Sequence, residues 1–139
     1  MVTATLALYT AGHSLSLSHS PMSEHSVFSS LQQQLRQFAR ERDWEQFHTP
    51  KNLAMALSVE AAELQEIFQW LTAEQSAQLD DTQRARAAEE LADVLLYLCR
   101  LADVLNIDLA AAAQAKLLRN AEKYPADRVR GSSAKYSDY

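Results

Sequence analysis

Two pairs of acids stand out along the chain: Glu60 with Glu63, and Glu90 with Asp93, each pair three residues apart inside a stretch whose apolar residues recur at helical spacing. In the first stretch the apolar seam runs Leu53, Leu57, Leu64, Ile67 and Leu71, and Glu60 occupies the middle of it. At about 100° per residue Glu63 lies about 60° to one side of Glu60, so both carboxylates face inward or nearly so. The second stretch has a seam at Ala87, Leu91, Val94, Leu98, Leu101 and Leu105, with Glu90 about 40° and Asp93 about 100° from Val94. An ionised carboxylate taken out of water costs several kcal/mol unless it is paired, and clustered acids also repel one another. Arg84, Arg86 and Arg100 are few and lie mostly on other faces of the second stretch, so a bound divalent cation is the simpler compensation. All the candidate ligands are oxygens, with no His or Cys among them, which favours Mg²⁺, or Mn²⁺, over zinc. A single Glu-x-x-Glu is common on a solvated helix face; two such pairs on adjacent helices are a far more specific signal.

The elements that must carry these acids are helices. Two glycines and three prolines in 139 residues are too few for a turn-rich β protein, and helix formers dominate after residue 28. The length suits one domain with a real core. The pattern predicts a first helix over Val27–Asp43, a loop at Trp44–Thr49, and a second helix over Pro50–Leu71 opened by Thr49 as cap and Pro50 at its first position. A polar connector at Thr72–Asp81, with a short helix or turn, leads to a third helix over Thr82–Leu105, and a fourth runs Asp108–Lys123 before Pro125. The fold class expected is an all-α, antiparallel four-helix bundle, with its domain over residues 25–125. Residues 1–24 read as a disordered tail, with translation starting in reality at Met22, and residues 126–139 as an irregular one.

A net charge of −5 argues against a partner that is a nucleic-acid polymer, since counterion displacement needs basic surface, but allows nucleotide binding through a metal. No run of about 20 apolar residues could span a bilayer, and Thr3–Leu17 lacks the basic start of a secretory signal. The lone Cys99, set in an apolar run, reads as a buried thiol in a reducing cytoplasm.

The segments Glu60-Ala-Ala-Glu63 and Glu90-Leu-Ala-Asp93 resemble the paired E-x-x-E and E-x-x-D motifs of the MazG-like, all-α NTP pyrophosphatases. ARERDWEQFHTPKNLAMALSVEAAELQEIFQW, EELADVLLYL and KLLRNAEKYP are similar, more closely, to dCTP pyrophosphatases, and the likeness covers roughly Phe28–Tyr136. The resemblance implies hydrolysis of a (deoxy)nucleoside triphosphate, dCTP or a 5-modified dCTP, to monophosphate and pyrophosphate, with Mg²⁺ on the four acids. It also implies a base pocket built from Trp44, His48 and Trp70. Stacking of a base on such rings is worth about 1 to 3 kcal/mol. Lys116, Asn120 and Tyr124, which recur every four residues, together with Tyr97, one turn after Asp93, are the residues expected to contact phosphate and sugar. Lys135 and Tyr136 would close over the triphosphate. A homodimer or homotetramer is implied as well, and agrees with wide Leu- and Ala-rich helix faces that one small bundle cannot cover. The chain departs from its relatives in having Ala61 and Ala62 where a glycine is common, and in the Thr72–Asp81 connector, which puts specificity in doubt rather than chemistry. Two other readings remain: a non-catalytic helical interaction module, and a hydrolase of the same superfamily acting on dUTP or another triphosphate. A di-iron carboxylate bundle would need Glu-x-x-His pairs, and every His precedes position 49.

Overall fold

A computed structural model describes residues 24–133, with side chains from Val27 onward. The described chain is all-α: α1 (Glu24–Glu41), α2 (Pro50–Phe68), α3 (Ala73–Ser76), α4 (Asp81–Val104), α5 (Leu109–Lys123) and α6 (Ala126–Val129), with a 3-10 turn at Glu45–Phe47 between α1 and α2. Among the described residues no helix is long and apolar enough to cross a membrane. The expected N-terminal tail, the start at Met22, and Lys135 and Tyr136 lie outside the described residues.

α4 is the spine. It packs along α2 on one side and α1 on the other, while α5 docks on α1. Leu53 and Ile67 of α2 are buried, as are Ala39 of α1 and Ala87, Cys99 and Ala102 of α4. Full burial of a leucine such as Leu53 contributes about 2 kcal/mol. The seam of α4 follows its periodicity only in part: Ala87 is buried as expected, Leu91 and Leu105 stay exposed, and the other buried positions are Cys99, Arg100 and Ala102. α4 is covered on two sides by α1 and α2, so its buried face is not the one that hydropathy alone would choose.

Caps explain the boundaries. Thr49 caps α2 by accepting from the Asn52 amide at 3.2 Å, with Pro50 at the first position, as expected. Thr72 with Gln75 and Asp80 with Gln83 form two reciprocal capping boxes that start α3 and α4. α1 and α4 end without glycine. Trp44 N donates to Ala39 O (2.9 Å) and Asp43 N to Arg40 O (3.1 Å), and at the end of α4 Ile107 N donates to Ala102 O (2.8 Å) and Asn106 N to Asp103 O (3.0 Å). This is the Schellman pattern, with Asp43 and Asn106 each at φ 54°. Asp and Asn tolerate that left-handed position better than other non-glycine residues. α2 ends three residues sooner than expected, which leaves Trp70 in the turn before α3, and residues 126–129 of the expected irregular tail form α6.

Candidate active site

The α2–α4 contact brings the acids together. Glu60, Glu90 and Asp93 each offer a carboxylate oxygen, all within 4.8 Å of one another, and all three are half-buried. Glu63 stands outside this triad and is exposed, yet its charge reaches every member of it. Burial raises the pKa of Glu60, and the charges of Asp93, Glu63 and Glu90 push it further. Asp93 is raised by burial and then by Glu63 and Glu89. Glu90 is raised by burial, then by Glu63, Asp93 and Glu89, with Arg86 pulling the other way. Like charges are thus held together with little cationic relief.

Oxygens bound to one Mg²⁺ at about 2.0–2.1 Å lie up to about 4.2 Å apart, so small side-chain rotations bring the triad to coordinating distance. The donor set is hard and all-oxygen, which fits Mg²⁺ or Mn²⁺. Tyr97, one turn along α4 from Asp93, is half-buried. Burial, with the charges of Glu60 and Asp93, keeps its phenol protonated above the usual tyrosine range, so it offers an O–H donor beside the acids.

A second cluster lies further along α4. Arg100 is only 7% exposed; its Nε donates to Nδ1 of His48 at 3.2 Å and its NH1 to Asp103 Oδ2 at 2.8 Å. Asp103 Oδ1 also meets Arg36 NH1 at 3.4 Å. His48 is kept below the usual imidazole pKa by burial and by Arg100, against the opposing pull of Glu45. A narrow cleft is lined by Leu35, Phe38, His48, Leu96, Tyr97 and Arg100, and Tyr97 also feels the charges of Glu60 and Asp93. Trp44 packs edge-on to Phe38 (5.9 Å) and at a tilt to His48 (6.4 Å). The α1 terminus sets this placement, since the amide of Trp44 closes the Schellman turn.

The other expected contacts are not gathered here. Trp70 is 85% exposed beyond the end of α2. Lys116 and Tyr124 are exposed and Asn120 half-buried on α5, a helix that packs mainly on α1 rather than on the acid-bearing pair. Sequence reasoning missed Arg100, Asp103 and Arg36, having placed Arg100 on an outer face. The signal available was the Arg100/Asp103 spacing of three inside an apolar run.

An all-α chain whose paired helices bring three acids together carries a cluster that could hold a metal ion, and the comparisons with known proteins say which proteins it is similar to. Residues 55–139 match the MazG-like family, and the chain belongs to that family. The match includes the four acids, whereas Trp44 and His48 precede it. Among curated proteins, dCTP pyrophosphatase 1 of Bos taurus is 47% identical over 104 residues, 73% of this chain and 62% of that protein. dCTP pyrophosphatase 1 of Homo sapiens is 48% identical over 104 residues, 73% of this chain and 61% of that protein. The chain thus matches about three-fifths of the length of these relatives. The crystal structure of a pyrophosphatase from Archaeoglobus fulgidus superposes with a TM-score of 0.68 at 39% identity, covering 76% of this chain and 99% of that one.

Proposed function

We propose that the chain is a Mg²⁺-dependent nucleoside triphosphate pyrophosphohydrolase that converts dCTP, or a 5-modified dCTP, and water to the monophosphate and pyrophosphate, and so removes unwanted nucleotides from the cytoplasmic pool. The observation that carries this reading is the Glu60, Glu90 and Asp93 triad, with its oxygens converging within 4.8 Å. The names of the curated relatives supply the substrate and the archaeal neighbour the reaction class.

Glu60, Glu90 and Asp93 hold the cation, with Glu63 beside them as the fourth acid. When bound, Mg²⁺, or Mn²⁺, offsets triphosphate charge and lowers the pKa of a water. One of these acids, or neighbouring Glu66 or Glu89, takes the proton from the attacking water, and the bond between the α- and β-phosphates breaks. The protonated Tyr97 phenol donates to a phosphate oxygen from the flank of the site. Trp44 and His48 hold the base beside the cleft that Tyr97 lines. Trp70, Lys116, Asn120 and Tyr124 join the site where a second copy of the chain packs on the first. Met55 (61% exposed), Leu117 (67%) and Leu118 (69%) are apolar surface that such a homodimer or homotetramer would cover.

The test is to incubate the protein with Mg²⁺ and each common and 5-modified dNTP, dUTP included, and to identify products by chromatography. dCMP and pyrophosphate are expected from dCTP. Orthophosphate as the first product refutes the reaction, and no turnover of any triphosphate points to the non-catalytic interaction module. Sedimentation in the same buffer reads the assembly, with a dimer or tetramer expected.

A further inference from the structure

Arg100 has a geometry that ion pairing alone does not account for. A guanidinium next to a carboxylate commonly makes two parallel bonds to it, and the buried Arg100 has Asp103 within reach on its own helix. Only NH1 goes to Asp103; Nε is spent on the imidazole of His48, 52 residues away in sequence. An N–H donor can bond only to a ring nitrogen that carries no proton. Nδ1 is therefore the acceptor, and in the neutral ring Nε2 carries the hydrogen. Nε2 makes no hydrogen bond among the described residues, and none of their buried polar side-chain atoms is left unpaired, so Nε2 is open to solvent.

We propose that Arg100 is a positioning residue for nucleobase recognition: it fixes His48 as the Nε2–H tautomer, so that the ring offers an arriving nucleotide a donor suited to the N3 lone pair of cytosine. Uracil and thymine carry N3–H at that position and would set donor against donor. The proposal rests on the triphosphate reading above and adds the source of its selectivity. Charged and titratable groups face His48 from each packed element: Arg100 and Tyr97 from α4 and Glu45 from the 3-10 turn, with Arg36 of α1 and Asp103 standing behind Arg100. Burial and Arg100 together outweigh Glu45 and keep the ring neutral.

Two measurements on the full chain test this. The first is NMR of the imidazole nitrogens, with His48 assigned by its loss in His48→Gln. Nδ1 is expected unprotonated and Nε2 protonated, and in Arg100→Met the preference is expected to relax and the titration midpoint to rise. A wild-type proton on Nδ1, or one midpoint shared by both proteins, overturns the proposal. The second is steady-state kinetics with Mg²⁺. In Arg100→Met the preference for dCTP over dUTP is expected to narrow about tenfold, mostly through KM for dCTP, as one charge-assisted hydrogen bond implies. In His48→Gln, whose side-chain amide supplies a donor without help, Arg100→Met is expected to change neither constant further. An equal loss in both backgrounds, or a fall in kcat at unchanged selectivity, marks Arg100 as purely structural and overturns the proposal. Should Arg100→Met fail to fold, Arg100→Lys keeps the charge but cannot serve Asp103 and Nδ1 with one planar fork, and the same narrowing is expected of it. A wild-type protein that has the expected tautomer but hydrolyses no triphosphate refutes the hydrolase reading, and the base assignment with it, independently of the NMR result.

Discussion

Around Asp93 acids face acids; around Arg100, about two turns further along α4, every charge meets an opposite charge or a neutral acceptor. Both clusters are drawn partly out of water by the same helix. The first has raised proton affinities with only Arg86 to relieve it, and the second is satisfied within the chain. The contrast separates residues arranged for something that arrives from residues arranged for one another. Stability belongs to the second cluster and is given up in the first, which is the usual trade at a binding site.

The sharpest way to break the comparison is to neutralise one acid. Glu60→Gln is expected to cut Mg²⁺-supported turnover at least about 100-fold, since a charge aimed at the metal is lost. The same variant, free of metal, should melt no lower than wild type. A variant that melts well below wild type would show that Glu60 has a structural partner. Asp103→Ala attacks the other cluster, stranding the buried Arg100; breaking a buried pair costs about 3–5 kcal/mol, and because His48 still accepts from Arg100 about 3 kcal/mol of lost stability is expected in urea unfolding. Mg²⁺ should stabilise through the first cluster alone: at about 100 times its dissociation constant it adds about 2.7 kcal/mol to wild type and little to Glu60→Gln, read by calorimetry.

The pH response carries the opposite sign from that of an ordinary paired carboxylate. Glu60 has a folded-state pKa above its unfolded one, so the native state holds that proton more tightly. Stability is therefore lost as pH rises from the unfolded value through the raised one. In metal-free buffer the melting-temperature advantage of Glu60→Gln is expected to appear above the usual carboxylate range and to vanish below it; an advantage that persists in acid would remove charge as its cause. Smallest is Thr49→Ala, which removes the cap between His48 and the acid-bearing α2 and should cost about 1 kcal/mol. If the two regions are mechanically separate, Mg²⁺ affinity measured by titration will not change.

How far the sequence anticipates this contrast depends on the kind of signal. Thr49-Pro50 announces the start of α2 because capping is local, and Glu60 is legible because an acid interrupting an apolar seam has no neutral explanation. The end of α2 at Phe68 is less so: no glycine or proline marks it, and the helix yields to the capping box of Thr72 and Gln75 a few residues on. Arg100 is illegible for a different reason. Periodicity assigns a charged residue to the solvent side, and only the packing of α1 on α4, with His48 brought in from the loop before α2, creates a dry place where His48 and Asp103 await it. The placement of Lys116, Asn120 and Tyr124 cannot be read from spacing, because a stripe on α5 says nothing about which helix α5 docks on.

Cys99 sits on the same side of α4 as this junction, fully shielded, with burial pushing its thiol pKa up. As the sole sulfhydryl of the chain it is a built-in clock. A thiol-reactive dye reaches it when the helices packed on α4, α1 among them, lift away, so under fast reclosing the labelling rate reports the opening free energy of that packing. Nucleotide bound beside His48 should slow the clock; Mg²⁺ alone, which would be held by Glu60, Glu90 and Asp93, should leave it running at nearly its original pace.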